Sequence, residues 1–592
     1  MQIILEKIKM CLINILKSLQ VYKKLVIASA LIFSSLVVSS FVVAGESAKK
    51  PTAVKTIEVK ASTEKVELTS EIVYNYLLAE IAAQRGEFGL SSHLFYTLAK
   101  SSRDPSLAQR AAKAAAVGNQ GNLALEATKL WSEIDPSSLE AEQATSQLLM
   151  ASGNLEEAKV HIAKLLVKED TRAVNFLAIN SLFARQADKK LVQSIVTDLA
   201  KPYPNLPEAH FAIAHAALTA NDIATMQSEL ALAEKLRPGW EIPVMLQAQD
   251  ELKESPSKAI TTYKDFLKKY PKANDVRMAL AKLLINQKLF NEAKPELVTL
   301  SKAGKGNPEI HAVLGLLAIE AKDYKASEAY FQQSLKDGFK EPEQIYIYLG
   351  KLADQQKNDK QALDWFNKVQ PGERYLDAQI SKANVISRTQ NTDAAIKLLD
   401  DIDDLTTEQQ IIVIETQAGL LAQAKRNQEA FDLLDKALKN MVNTPDLIFE
   451  YASAAERIGK YDLMETELNK AITMKPDYAA AYNALGYSLA DRNVKLDVAK
   501  QMIDKALALS PDDHFMIDSL GWVYYRLGQL DLAAEKLRIA YNAQPDPEIA
   551  AHLGEVLWQQ GKQEEAKTIW KAALKDNPDN EVLLTTTKKF NS

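Results

Sequence analysis

The chain has 592 residues, more than one hydrophobic core normally serves, so it needs several domains or one extended repeat array. Gly and Pro are sparse at 20 each, and Ala, Leu, Lys, Glu and Gln dominate, which favours a helical array. The single cysteine, Cys11, excludes an internal disulfide framework and a Cys-based zinc site. The formal net charge of −6 combines +4 in residues 1–44 with −10 in the remainder, which argues against nucleic acid as the main partner.

The first 45 residues have the pattern of a targeting segment. Lys23 and Lys24 precede 21 uncharged residues, Leu25–Gly45, and charged sequence follows from Glu46. This order is typical of a secretory signal that is cleaved after Ala44, and the same length could instead span a membrane as an uncleaved anchor. In both cases everything after Glu46 is expected to be exported, because the lysines stay in the cytoplasm.

The residues on either side of the apolar segment add little structure. Residues 2–20 are basic and apolar, which is typical either of an amphipathic membrane helix or of an overlong N-terminal region of the signal. The residues before Cys11 form a poor lipidation motif, because Lys9 is charged and no apolar run precedes it. Residues 46–68 are polar, Lys-rich and without periodicity, and we predict a flexible linker there.

An internal repeat runs through the rest of the chain and is clearest in the C-terminal third. Proline recurs there at spacings of 35, 34 and 33 residues, at Pro476, Pro511, Pro545 and Pro578. Small residues keep step with the prolines at intervals of 7, 5 and 7 residues. These small residues are Gly521, Gly528, Ala533 and Ala540 in one unit, and Gly554, Gly561, Ala566 and Ala573 in the next. The preceding unit holds Gly486, Ala499 and Ala506, with one extra residue near Asn493.

This spacing resembles the tetratricopeptide repeat (TPR), whose unit is a pair of antiparallel helices, A and B. Small residues are expected where the two helices cross closely, a left-handed glycine ends helix A, and proline closes helix B. Fainter copies upstream bring the total to about 15 pairs, with degenerate copies at 241–272 and 373–408. We therefore predict an all-α fold, a TPR solenoid over 69–580 that forms a right-handed superhelix, with a C-terminal capping helix over 581–592.

The inner wall of such a superhelix, lined by the A helices, is the candidate binding site. If Gly486, Gly521 and Gly554 are numbered position 8, positions 2, 5, 9 and 12 share one helix face and point into the groove. The predicted protein-binding residues at or beside these positions are Asn483, Tyr487, Phe515, Asp518, Trp522, Tyr525, Arg526, Glu555 and Trp558. Aromatic rings there would stack on a peptide, while Asn483 and Arg526 bind its backbone or carboxylate. The alternative is that these side chains pack against neighbouring helices, as we expect of Trp570 on helix B.

The sequence contains no recognisable catalytic motif. The residues Gly304-Lys305-Gly306 lack the spacing of a phosphate-binding loop, and neither His-Glu-x-x-His nor Gly-x-Ser-x-Gly occurs. The seven histidines are scattered, and each is expected to be a helix-surface or core residue: His93, His161, His210, His215, His311, His514 and His552. We predict no enzymatic activity, no cofactor and no metal, with an enzyme that lacks a recognisable motif as the least favoured alternative.

Two stretches resemble one group of exported TPR proteins. The first comprises residues 77–105 with 130–141, and the second is residues 483–578, in which NALGYSLAD (483–491) and DSLGWVYYRLG (518–528) are the most specific parts. They resemble the TPR proteins of Gram-negative proteobacteria that include the lipoprotein binding partner of the carboxyl-terminal processing protease. The resemblance covers both ends of the array and is weak in the middle.

This resemblance implies an envelope scaffold that brings a periplasmic protease to cell-wall hydrolases. Other proteins would be its partners, with no nucleic acid and with membrane contact through the N-terminus only. The chain departs from the group at one point, because no cysteine follows its apolar segment. We therefore expect a periplasmic protein, either soluble after signal cleavage or tethered to the inner membrane by residues 25–45. The alternative function is an accessory TPR subunit of an envelope enzyme or of a polysaccharide-export complex.

Overall fold

The structure is a computed structural model that describes residues 69–304, 307–441 and 444–590. The predicted targeting segment, 1–45, and the predicted linker, 46–68, lie outside these residues. The described residues form 31 α-helices and no strand, as the predicted all-α fold requires. None of these helices combines the length and the apolar character that crossing a membrane requires.

The helices follow one another as helical hairpins, in which we name the first helix A and the second helix B. The two helices pack directly on each other in fourteen of the fifteen described hairpins. In the fourth hairpin, Glu169–Leu182 and Lys189–Ala200 pack mainly on the helix that follows, Pro207–Thr219. The chain divides into two compact units, one up to Phe339 and one from Lys340. Unit 1 contains eight hairpins. Unit 2 contains seven hairpins and a terminal helix, so the described residues hold the predicted 15 pairs.

Unit 1 consists of sixteen helices in the described residues. They are α1 (Ser70–Gln84), α2 (Phe88–Ser102), α3 (Pro105–Val117), α4 (Gly121–Ile134), α5 (Leu139–Ala151), α6 (Leu155–Val167), α7 (Glu169–Leu182), α8 (Lys189–Ala200), α9 (Pro207–Thr219), α10 (Ile223–Leu236), α11 (Glu241–Glu254), α12 (Pro256–Lys269), α13 (Asn274–Asn286), α14 (Phe290–Ala303), α15 (Pro308–Glu320) and α16 (Tyr324–Lys336).

Unit 2 contributes fifteen helices to the described chain. They are α17 (Pro342–Gln355), α18 (Asp359–Phe366), α19 (Tyr375–Thr389), α20 (Thr392–Asp400), α21 (Thr407–Gln423), α22 (Asn427–Asn440), α23 (Pro445–Arg457), α24 (Tyr461–Met474), α25 (Ala479–Asp491), α26 (Leu496–Leu509), α27 (His514–Arg526), α28 (Leu530–Ala543), α29 (Pro547–Gln559), α30 (Gln563–Asp576) and α31 (Glu581–Phe590).

Most turns between helix A and helix B contain one residue in the left-handed conformation. Twelve of the fifteen hairpins carry such a residue, with φ between 55° and 80°. After Gly528, for example, the Gln529 amide donates to the Tyr524 carbonyl, the bond that closes a Schellman motif. The twelve residues are Gly86, Asn119, Gly153, Asn221, Lys288, Lys322, Lys357, Lys425, Gly459, Asn493, Gly528 and Gly561. Asn or Lys replaces glycine in seven of these turns, which explains why the upstream repeats are faint in the sequence.

Helices A and B cross closely at position 8, as the small residues there predict. A Cβ atom on Gly486 would lie 2.6 Å from Cγ1 of Ile503, and one on Gly521 would lie 2.6 Å from Cγ of Leu537. The equivalent contacts pair Gly315 with Phe331, Gly350 with Phe366, and Gly554 with Trp570. Trp570 is buried, as predicted for a residue on helix B. A larger residue at position 8 would force the two helix axes apart.

The two degenerate repeats form helix pairs as well. In residues 241–272, α11 and α12 are separated only by Ser255, whose hydroxyl caps α12. In residues 373–408, α19 is followed by a helix α20 of nine residues. Neither turn contains a left-handed residue. The degenerate pattern thus reflects altered turns and a shortened helix B, while the hairpin itself is kept.

We expect Gly521→Ala to destabilise unit 2. The added Cβ would overlap Leu537 and approach the carbonyl oxygen of Ala533 to 3.3 Å. Overpacking of this kind costs about 1–3 kcal/mol. Urea unfolding followed by circular dichroism should show a lower midpoint, and hydrogen exchange should place the faster exchange in α27 and α28.

Gly419→Ala is the matched control for this substitution. Gly419 lies in α21 with an ordinary helical φ, and a Cβ there meets no atom within 4 Å. Because Ala is favoured over Gly in a helix by about 0.5–1 kcal/mol, we expect an unchanged or slightly higher midpoint. Equal destabilisation by the two substitutions would contradict the close-crossing argument.

Candidate functional site

The predicted site residues lie on α25, α27 and α29, the A helices of the last three hairpins. From α25 to α31 each A-type helix packs directly on the next one. Farther apart, Nζ of Lys425 at the end of α21 lies 2.5 Å from Oε1 of Glu581 at the start of α31. The A side of unit 2 between these helices is therefore the inside of a tight curve.

We name this surface the inner wall. It comprises positions 2, 5, 6, 9, 12 and 13 of α21, α23, α25, α27 and α29. Position 8 in these helices is Ala418, Ala452, Gly486, Gly521 and Gly554, respectively. The spacing of these positions places them on one side of each helix, away from helix B.

Trp522 is buried within the inner wall, with 5% of its surface exposed. Its Nε1 donates a hydrogen bond of 3.2 Å to Oδ1 of Asp491. The imidazole of His552 stacks on its ring at a centroid distance of 4.1 Å, and the Arg526 guanidinium lies 5.0 Å from the ring centroid. The structure therefore favours the packing interpretation for Trp522, because its ring is already covered by side chains of unit 2.

Arg526 connects α27 to α25. Its Nη2 donates to the backbone carbonyl of Asp491 at 2.6 Å and to the carboxylate of the same residue at 3.3 Å. The guanidinium thus satisfies the last carbonyl of α25 and sits against Trp522. A role for Arg526 in binding a ligand carboxylate stays a prediction, and it would require these contacts to be exchanged.

Asp518 and Tyr487 both contact His552, which is not among the predicted site residues. Nδ1 of His552 lies 3.0 and 3.1 Å from the two carboxylate oxygens of Asp518. Its Nε2 lies 3.5 Å from the Tyr487 hydroxyl. Burial lowers the pKa of His552, but the charge and the hydrogen bond of Asp518 outweigh burial, so the pKa is raised. The imidazole of His552 therefore links α25, α27 and α29.

Tyr525 and Glu555 form a second link between helices. The Tyr525 hydroxyl donates to Oε1 of Glu555 at 3.0 Å, and Nζ of Lys589 donates to the same oxygen at 2.9 Å. Burial, together with the nearby Glu555 carboxylate, raises the pKa of Tyr525 to about 12. These contacts connect α27 and α29 with the terminal helix α31.

The remaining predicted residues differ in exposure. Trp558 packs on Trp570 and Phe590 at centroid distances of 5.8 and 5.7 Å, so it closes the end of the array. Phe515 is 52% exposed. Oδ1 of Asn483 is buried and accepts no hydrogen bond from any described residue. Of the nine predicted residues, Phe515 and Asn483 are thus the two with the clearest capacity for a ligand.

Sequence reasoning missed Asp491, His552 and Lys589. The available signal was the repeat period, because residues about one repeat apart lie on adjacent A helices. Asp518 and His552 are 34 residues apart, and Asp491 and Arg526 are 35 apart. Polar residues at this spacing are candidates for contact from the sequence alone. His552 is one of them, even though the histidines are scattered along the chain.

The hairpin array and its inner wall define the class of protein-interaction scaffolds built from TPR repeats, which are typically not enzymes. Tetratricopeptide repeat families match residues 253–317, 312–375, 445–478 and 519–581. A TPR repeat-containing protein of Pseudomonas aeruginosa is 31% identical over 509 residues, which cover 85% of this chain and 86% of that protein. The chain belongs to the family of TPR repeat-containing proteins.

Two solved structures are also similar. A thermophilic TPR protein of Thermus thermophilus is 21% identical with a TM-score of 0.29, and the match covers 31% of this chain and 100% of that one. A chain of the APC/C hetero-tetramer Cut9–Hcn1 is 14% identical with a TM-score of 0.29, and the match covers 82% of this chain and 97% of that one.

We expect the stability of unit 2 to depend on the protonation of His552. Because its folded-state pKa is raised, the ion pair with Asp518 stabilises fully below the unfolded-state value of about 6.5 and is lost as the pH rises through the folded-state value. The urea midpoint should therefore fall with rising pH above about 6.5. His552→Gln should remove most of this fall.

His514→Gln is the control for the pH experiment. His514 lies on α27 near the same wall, and its ring contacts Phe515 without a carboxylate hydrogen bond in the described part of the chain. This variant should keep the pH dependence of the unmodified protein. An unchanged pH dependence in His552→Gln would show that the Asp518–His552 pair does not set it.

Proposed function

We propose that this protein is an exported scaffold that holds a periplasmic protease together with its cell-wall hydrolase substrates. The observation that carries the proposal is the inner wall, a surface formed by five A helices of unit 2. Two sequence stretches that resemble the envelope TPR proteins support the choice of partners. The basic and apolar pattern of residues 23–45 supports export, with a tether to the inner membrane or release after cleavage.

The inner wall is suited to bind a protein because its shape is fixed in advance. Asp491, His552 and Glu555 connect successive A helices through hydrogen bonds of 2.6–3.2 Å. A wall held in this way loses little conformational entropy when a partner docks. Phe515 offers an exposed ring on the same surface, and aromatic side chains are common anchors in interfaces.

The division of the array supports a scaffold that holds more than one protein. Units 1 and 2 are each compact and each contain at least seven hairpins, so each has A helices of its own. A protease and its substrate could then occupy different units at once. Joining both on one chain raises their effective concentration toward each other, which is how a scaffold without catalytic groups would accelerate proteolysis.

Reconstitution tests this function most directly. The tagged full-length chain, recovered from cross-linked cell envelopes, should carry a protease and a peptidoglycan hydrolase identified by mass spectrometry. Purified protease should then degrade that hydrolase faster when the full-length chain is added. Recovery of a glycan-export component or of another envelope enzyme in their place would support the accessory-subunit alternative. Absence of any envelope protein would contradict both.

Phe515→Ala should weaken capture of the partner that binds unit 2 by about tenfold or more, because an exposed aromatic anchor is lost. It should change stability by no more than about 0.5 kcal/mol, since the side chain lies largely in solvent. Ile539→Ala is the control, because Ile539 is similarly exposed at 46% but lies on helix B. Equal effects of the two variants on capture would argue against binding at the inner wall.

A further inference from the structure

The inner wall of unit 2 is strongly acidic. Its positions carry eight carboxylates and two arginines in the described residues. The carboxylates are Glu415, Asp446, Glu450, Glu456, Asp491, Asp518, Glu548 and Glu555, and the arginines are Arg457 and Arg526. A wall with this excess of negative charge attracts cationic groups and repels anionic ones.

Half of these carboxylates lack a close ion pair and a side-chain hydrogen bond within the described chain. Asp446, Asp491, Asp518 and Glu555 are paired with Lys475, Arg526, His552 and Lys589, respectively. The other four form neither an ion pair nor a side-chain hydrogen bond with any described residue. They are Glu415, Glu450, Glu456 and Glu548. These four side chains are therefore available to an external cation.

Burial has a measurable consequence for three of the free carboxylates. It raises the pKa of Glu450 against the opposing charge of Arg457, and burial together with neighbouring carboxylates raises the pKa of Glu415 and, against the opposing charge of His552, that of Glu548. Partial desolvation that nearby cations do not offset disfavours the ionised form. A lysine or arginine that docks beside them would restore the charged form and gain a charge-assisted hydrogen bond.

The arrangement of these groups fits an extended chain. Glu415 and Glu450 lie on the neighbouring A helices α21 and α23, and packed helices are about 8–10 Å apart. Glu548 lies on α29, three A helices farther along. Side chains two or three residues apart on an extended backbone are separated by about 7–10 Å. Basic residues at that spacing in a partner segment could thus reach Glu415 and Glu450 together, and a longer segment could extend to Glu548.

An uncharged group on the same wall also lacks its partner. Asn483 lies on α25, between the helices that carry Glu450 and Asp518. Its Oδ1 is buried and accepts no hydrogen bond from a described residue. A buried acceptor left unpaired costs about 1–3 kcal/mol, and a backbone N–H of a docked segment would satisfy it. This acceptor is a second feature of the wall, separate from its charge, that a docked backbone could use.

An anionic ligand fits the wall poorly. The Arg526 guanidinium is held by the carbonyl and the carboxylate of Asp491, and the charge of Arg457 acts on the Glu450 carboxylate of the same helix. A C-terminal carboxylate would meet the unpaired glutamates before it met a free cation. The charges therefore select against the carboxylate capture that Arg526 suggests from the sequence.

We propose that the inner wall of unit 2 binds an extended, lysine- or arginine-rich segment of a partner protein. This inference rests on the proposed function as a protein-binding scaffold and specifies the chemistry of its partner. The free glutamates pair with the basic side chains, Asn483 accepts a backbone N–H, and Phe515 packs on the apolar part of the segment.

Peptide binding to the full-length protein tests the proposal. The probe is a fluorescein-labelled peptide of alternating Gly and Lys, compared with Gly–Glu and Gly–Ser peptides of equal length by fluorescence anisotropy. The Lys peptide should bind at least about tenfold more tightly than the other two, and added salt should weaken it. Glu415→Gln combined with Glu450→Gln should weaken it about tenfold.

Glu535→Gln combined with Glu564→Gln is the matched control, because it makes the same change in net charge on the B helices α28 and α30. Circular dichroism verifies that both double variants are folded. Equal weakening by the two double variants, or equal binding of all three peptides, would overturn the proposal. If the peptide experiment fails in this way but the chain still captures a protease and a hydrolase, the scaffold function stands and only the basic-segment proposal is overturned.

Discussion

The close crossing of helices A and B at position 8 is the constraint on which the rest of the structure depends. Gly486, Gly521 and Gly554 leave no room for a Cβ, and the facing residue of helix B fills that space. Because the two helices are this close, one side of helix A packs against helix B of the same hairpin. The opposite side is free to face the next hairpin and the groove, and it becomes the inner wall when hairpins stack.

The polar contacts on the inner wall serve the stacking of the hairpins as well as the surface itself. Asp491 holds Trp522 and Arg526 from the preceding helix A, and His552 joins Asp518 with Tyr487 across three of them. Such networks are sensitive to the loss of one partner, because the buried group left behind is unsatisfied. The same residue types that suggest a binding site can thus be structural, and burial decides between the two roles.

The sequence predicts most of the fold, because each repeat must reproduce the same turn and the same helix crossing. About 15 pairs are predicted from the spacing of small residues, Pro and a few aromatic residues, even where Lys357 or Asn221 replaces the turn glycine. The site is predicted less completely, because Trp522 on a helix face is compatible with both exposure and packing. Its 5% exposure depends on His552, a residue of the next repeat, and pairing across repeats is not visible in one helix. A Trp522→Ala variant would consequently disturb the core as well as any binding.

Carboxylate footprinting of the full-length protein with and without its captured partner tests most directly whether binding occurs on the inner wall. A water-soluble carbodiimide and an amine label accessible Glu side chains, and mass spectrometry reads the labelling of each residue. We expect the partner to protect Glu415, Glu450 and Glu548, while Glu535 and Glu564 on the B helices keep their labelling. Protection of the B-helix residues, with unchanged labelling of the inner wall, would contradict binding at the inner wall.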